Sequence, residues 1–231
     1  MTDASQVCSI EDVVAFWRSA GPSKWFAKDA AFDAEFKGRF MAAHMAAARR
    51  ELDAWLSHPT GCLALMILLD QFPRNAFRGT AHMFATDSLA LSFARQAHAR
   101  SYQTRIEQDM QVFLVLPFEH SENMDDQTLA VDLCSTLDAR TLEFARLHQD
   151  IIKRFGRFPH RNAVLGRDTT PEEQRFLEGG DSVGRFGGLD FARSPLSGVL
   201  YVFTSTTDLR VWSFQDDRSV GSLVRRLPCP D

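Results

Sequence analysis

Polar side chains able to hold a ligand or move a proton fall in three short strings, each placed after an apolar stretch. They are Asp70, Gln71, Arg74, Asn75 and Arg78; His120 and Glu122; and His160, Arg161 and Asn162. Histidine titrates nearest neutral pH, and a neighbouring carboxylate makes it half of an acid/base pair. His160, in a loop after Pro159, and Glu122 are the expected acid/base pair, with His120 as the third catalytic candidate. Arginine presents a planar fork that matches a carboxylate or phosphate. Arg74 and Arg161 are therefore expected to hold the anionic group of a small molecule, and Asp70, Gln71, Asn75, Arg78 and Asn162 to complete the ligand-binding set.

Two of the strings share a pattern. Gln71-Phe72-Pro73-Arg74-Asn75-Ala76 and Phe158-Pro159-His160-Arg161-Asn162-Ala163 both carry Phe-Pro and then Arg-Asn-Ala, followed by a glycine beside an arginine and by a threonine. One reading is a helix-stop motif used twice, with proline ending the helix, arginine pairing with a carboxylate and asparagine bonding turn backbone. The other is that both loops line one pocket, as equivalent loops do in helical repeats.

Charge is segregated in the second half. Glu119 to Asp138 holds six acids and no Lys or Arg, while Lys153 to Arg167 holds five bases and no acid. If these stretches face each other, Arg157 or Arg161 is a natural partner for Glu119 or Glu122. Metal chemistry has a weaker signature. His120, Glu122, His148 and His160 include the donor types of a two-histidine, carboxylate site, and His120-Ser121-Glu122 resembles half of a zinc-deaminase motif. The other half, P-C-x-x-C, is absent, as is HExxH. No metal or other cofactor is expected. His44 and His148 fall on apolar stripes and are expected to be satisfied core histidines. P-loop, GxGxxG, GxSxG and kinase motifs are absent, which removes the common nucleotide and serine-hydrolase chemistries.

Helices must position these strings. Phe32, Phe36, Phe40, Ala43 and Ala47 follow one face of a helix. Leu63 to Leu69 is apolar nearly all round, which marks a central helix, and Pro73 is expected to stop it. Asp87 is expected to cap a helix carrying Leu89, Phe93 and Ala97. Met110 to Leu116 is an apolar run, helix or strand, ended by Pro117. Phe144, Leu147, Ile151 and Phe155 mark another helical face with Gly156 as its stop. Thr170-Pro171-Glu172-Glu173 is a helix start with a capping box.

The chain has 231 residues, a formal charge of −4, 45% hydrophobic and 24% charged residues, which describes an ordinary globular protein. The mild acidity argues against a general nucleic-acid binder. Met1-Thr2-Asp3-Ala4-Ser5 is not the start of a secretory signal, and no apolar run approaches the length of a membrane span, so a cytoplasmic location is expected. Cys8, Cys62, Cys134 and Cys229 stand far apart; Cys62 and Cys134 sit in apolar stretches and are expected to act as small hydrophobes. The last 45 residues change character: from Gly187 to Asp231 there is no Lys, no Glu and one Ala. Val199 to Phe203 and Leu209 to Phe214 read as strands of a hairpin.

Four strings give the chain a family likeness: Leu68-Leu69-Asp70-Gln71-Phe72-Pro73-Arg74-Asn75, Phe84-Ala85-Thr86-Asp87, Leu116-Pro117-Phe118-Glu119-His120-Ser121-Glu122, and Arg154-Phe155-Gly156-Arg157-Phe158-Pro159-His160-Arg161-Asn162. With Val14-Ala15-Phe16-Trp17 and Trp25-Phe26 they resemble the bacterial DUF924 family over about residues 10 to 178. The resemblance implies an all-α fold, a tetratricopeptide-like antiparallel helical array, and brings no reaction with it. It places a helical domain over 1–180 and leaves 181–231 as a C-terminal extension. The residues themselves lead to the expectation of a pocket for a small anionic molecule, with acid/base chemistry; the alternatives are a helical protein-interaction module without catalysis and a metal-dependent enzyme using His120, Glu122 and His160.

Overall fold

The computed structural model describes residues 8–178 and the strand segments 199–205, 208–213 and 222–227. The chain divides into two compact units, 1–167 and 168–231. Within the first unit the described residues form helices and turns. Helix α1 (Ile10–Ala20) opens with Ser9 and Asp12 in a reciprocal capping box. A short α2 (Pro22–Trp25) leads to α3 (Ala30–Ala48), whose N-terminal N–H groups bond the Asp29 carboxylate. The spacing of Phe32, Phe36, Phe40, Ala43 and Ala47 buries all five on one face of α3. Phe16 of α1 stacks on Phe32 and Phe36 there, at 5.4 and 5.3 Å between ring centroids.

The central helix is α4 (Pro59–Met66), which packs on α1, α6 (Asp87–Ala99) and α7 (Val112–Glu119). It is buried nearly all round, as its composition requires. Gly61 permits a close approach there: a Cβ at this position would lie 2.1 Å from the Trp55 carbonyl oxygen. The helices α8 (Met124–Cys134) and α9 (Ala139–Phe155) follow as neighbours, α7 on α8 and α8 on α9. Gly156 ends α9 in the left-handed region at φ 67°, as its position predicted. A 3-10 turn (Pro159–Arg161) and α10 (Asn162–Leu165) complete the unit.

Two prolines behave differently from expectation. Pro73 does not stop the central helix. A π-helical turn (Ile67–Gln71) widens the helix before it, and α5 (Phe72–Ala76) continues through it. Widening shifts the backbone bonding from i−4 to i−5, so that Phe72 N–H reaches Ile67 O. Proline is tolerated because neighbouring side chains take up the carbonyls that it leaves without a donor. Pro117 likewise lies inside α7. Gln127 Nε2 donates to the carbonyls of Glu119 (2.7 Å) and Ser121 (2.6 Å), satisfying that helix end from outside. Asp87 is also corrected: it is the first residue of α6, and its carboxylate turns to arginines rather than to helix N–H groups.

In the second unit α11 (Pro171–Leu177) begins with the expected box, Thr170 Oγ1 accepting from Glu173 N and Glu173 Oε2 accepting from Thr170 N. The strands β1 (Val199–Ser205), β2 (Asp208–Ser213) and β3 (Ser222–Leu227) pair antiparallel in that order, with Val199 opposite Ser213 and Leu209 opposite Leu227. The expected hairpin is the first pair, and β3 is an addition; Phe214 lies outside the described residues. No helix among the described residues is long and apolar enough to cross a membrane.

Candidate functional site

The π-turn organises the polar strings. With Phe72 N–H bonded to Ile67 O, the next carbonyl in that register, Leu68 O, faces Pro73, which has no N–H. Three side chains serve these carbonyls, two from elsewhere and one from the next turn: His44 Nδ1 lies 2.9 Å from Leu68 O, Thr86 Oγ1 donates to Leu69 O at 2.5 Å, and Arg74 Nη1 donates to Asp70 O at 2.8 Å. The same widening places the Asp70 side chain inside the protein, at 1% exposure.

Asp70 is the hub of the site. Its carboxylate accepts from Gln71 Nε2 (2.6 Å), lies 2.7 Å from His120 Nδ1, and pairs with Arg74 Nη1 at 3.2 Å. Burial alone would push this carboxyl up, but the charges of Arg74 and His120 and the bonds from His120 and Gln71 outweigh it and hold the group below its ordinary range. An ionised Asp70 accepts only, so His120 carries its proton on Nδ1 and turns Nε2 outward. His120 Nε2 bonds no described residue and retains accessible surface. A carboxylate fixing a histidine through one ring nitrogen and leaving the other open is an arrangement suited to proton transfer.

The two repeated loops meet at Asp87. Arg74 grips it bidentately at 2.9 and 3.1 Å, and Arg161 Nη1 reaches it at 3.3 Å. Both guanidiniums also face Phe84, and Arg161 lies 4.5 Å from both the Phe84 and the Phe158 ring centroids, clamped between them. Stacking of this kind orients a buried arginine. Of the helix-stop reading only the carboxylate pairing holds, since the helix runs on through Pro73 and Asn75 bonds a carboxylate; each loop is pinned by a carboxylate of its own besides Asp87. Asp33 accepts from Asn75 Nδ2 (2.7 Å) and Arg78 Nε (2.6 Å); Glu122 accepts from Phe158 N (2.8 Å) and Arg167 Nη1 (2.8 Å). Gly79 and Gly166, four residues after the two asparagines, both adopt the left-handed region.

The expected site residues therefore separate, and only five of them gather at one place. Asp70, Gln71, Arg74, His120 and Arg161 come together around Asp70 and Asp87. Asn75 and Arg78 tie α5 to α3 through Asp33. Glu122 clasps the second loop. Burial would raise its carboxyl, but the Arg167 and Phe158 bonds and the charges of Arg167 and Arg161 prevail and lower it, which fits an ion pair better than a proton carrier. His160 lies on the 3-10 turn with its ring 5.5 Å from that of Phe158, and Asn162 is fully buried at the start of α10.

Beside His120 stands a second set, of buried Glu119 and Cys134 and half-buried His148. The His120 ring lies 6.3 Å from that of His148, whose Nδ1 is 2.9 Å from Phe144 O and 3.6 Å from Glu119 Oε2. Cys134 Sγ donates to Glu119 Oε1 at 3.4 Å, and burial followed by the Glu119 charge pushes this thiol far up. Among the described residues, no three His, Cys, Asp or Glu side chains are grouped to hold a metal ion. Sequence reasoning missed Asp33 and Arg167 as loop partners and read Asp87 as a cap; the Phe84-Ala85-Thr86-Asp87 string was visible, but its link to two distant arginines was not.

Comparison with known proteins agrees with this helical unit. Nothing among curated proteins matches. A solved structure of a protein of unknown function, ATU0120 from Agrobacterium tumefaciens, is similar at 56% identity with a TM-score of 0.72, over 74% of this chain and 97% of that one. The family model described as "Bacterial protein of unknown function (DUF924)" matches residues 13–181. The matched segment includes Asp70, Asp87, His120 and Arg161, so the chain that assembles this buried dyad and paired arginines belongs to the DUF924 family.

Proposed function

We propose that the cluster around Asp70 binds a small anionic ligand and that His120 transfers a proton to or from it through Nε2. The observation that carries this reading is the 2.7 Å Asp70–His120 contact, with the opposite ring nitrogen accessible and bonded to no described residue. A buried histidine held so firmly costs desolvation, and a merely structural role is better served by engaging both nitrogens. Asp70 is the positioning residue for His120, and Gln71 fixes the second oxygen of Asp70. Arg74 and Arg161, which already converge on the carboxylate of Asp87, supply the anion affinity. Asp87 is 18% exposed in its side chain, so a ligand carboxylate or phosphate can join or replace it there. Relative to the acid/base pair expected from sequence, this reading moves the central role from Glu122 and His160 to Asp70 and His120.

A thermal-shift screen of carboxylate and phosphate metabolites against the full chain tests it. The expected result is a compound that stabilises the wild type, stabilises His120→Gln less, and moves the His120 ring resonances in NMR. If every stabilising compound acts equally on the wild type, His120→Gln and Arg161→Lys, the ligand site lies elsewhere and the reading is wrong.

A further inference from the structure

A second histidine pair stands apart from the Asp70 cluster. His44, on α3, is fully buried, and its Nδ1 is committed to the Leu68 carbonyl that the π-turn and Pro73 leave without a backbone donor. That bond fixes the tautomer: Nδ1 carries the proton, and Nε2 presents a lone pair. His82, in a 3-10 turn (Ala81–Phe84), brings its own Nε2 to 3.4 Å from it. The His82 ring is stacked on Phe77 at 3.9 Å between centroids, which holds it in place, and the residue is half-buried. No described carboxylate or arginine pairs with either ring.

We propose that His44 and His82 form a two-histidine site for a borderline divalent cation of the zinc type. Three features support it. Two Zn–N bonds of about 2.0–2.1 Å meeting at the tetrahedral angle separate their nitrogens by about 3.3–3.4 Å, and the observed separation is 3.4 Å. That spacing is long for an N–H···N hydrogen bond. The buried histidine also donates its remote N–H to a backbone carbonyl, the arrangement that orients histidine ligands in metal sites. Burial, opposed by the Leu68 bond and helped by a smaller repulsion from His82, also pushes His44 below its ordinary pKa. Neutral imidazole is the form that ligates. Two protein ligands leave the remaining positions to water or a small ligand arriving from the His82 side.

Titration calorimetry of the full chain with zinc chloride at pH 7.5, after blocking accessible thiols, tests the site. The expected result is one saturable equivalent whose affinity falls at least about tenfold in His82→Phe, which keeps the stacking ring and removes the donor. NMR of the wild type should show the ring signals of His44 and His82, and not those of His120, shifting with zinc. His82→Phe avoids the risk that a His44 variant fails to fold. No saturable binding below millimolar zinc, or equal binding by His82→Phe, overturns the proposal and leaves the pair as a hydrogen bond.

Discussion

Replacing Asp70 by Asn removes one charge from the centre of the first unit and tests how the site is held. The carboxylate is 1% exposed and takes three partners, Gln71 Nε2, His120 Nδ1 and Arg74 Nη1. An asparagine keeps the volume but has one acceptor oxygen and one amide donor. At best it satisfies one or two of those three donors, and its NH2 must face another. Arg74 retains Asp87, so the change strips part of a network rather than orphaning a cation. Breaking a buried ion pair from one side costs about 3–5 kcal/mol; the surviving Arg74–Asp87 pair puts the expected loss at the lower end, about 3 kcal/mol. For a chain of this length that lowers Tm by roughly 6–12 °C. Urea unfolding at pH 7 measures it directly. The acid limb gives a second readout. Because the folded carboxyl of Asp70 is held below its ordinary value of 3.8, its contribution is present above that value and is lost as pH falls through the folded-state pKa. Asp70→Asn must therefore lose less stability than the wild type below about pH 4. A neutral-pH loss under about 1 kcal/mol, or acid limbs of equal slope, would refute the claim that an ionised Asp70 organises the site.

Other expectations follow from the same geometry. Glu122→Gln removes the charge facing Arg167 and weakens the clasp on Phe158 N–H, so about 1–3 kcal/mol should be lost, with faster amide exchange over residues 158–167 than over α4. Gly61→Ala should cost at least about 1–3 kcal/mol, because the new methyl would meet the Trp55 carbonyl oxygen at 2.1 Å and that contact is backbone, not a side chain that can swing away. Cys62 and Cys134 should resist alkylation in the native protein and react on unfolding, since burial raises Cys62 to about 11 and raises Cys134 further, with Glu119 reinforcing the latter. Mass spectrometry after brief iodoacetamide treatment checks it, and rapid native labelling of Cys134 would contradict the burial described.

Much of the helical architecture was legible from local pattern. The Phe32–Ala47 stripe, the Gly156 stop and the Thr170–Glu173 box depend on spacing and capping within a few residues, and such signals survive without knowledge of the fold. The polar strings were legible as candidates because they follow buried helices. What they do was not. Pro73 reads locally as a helix stop; only the side chains of His44 and Thr86, distant in sequence, make a widened helix around it affordable. Asp87 reads locally as a cap, and becomes the meeting point of two arginines 87 residues apart only when α5 and the 158–162 turn are brought to one end of α6. Glu122 and Asp70 are both carboxylates near a histidine-bearing string, and residue type does not distinguish them. Burial and partner geometry do, because Glu122 spends its oxygens on Arg167 and a backbone N–H while Asp70 orients His120. Local periodicity and capping thus determined where helices run, since those energies act between neighbours in the chain; which polar groups face one another was decided by tertiary packing, since electrostatic pairing depends on distance in space.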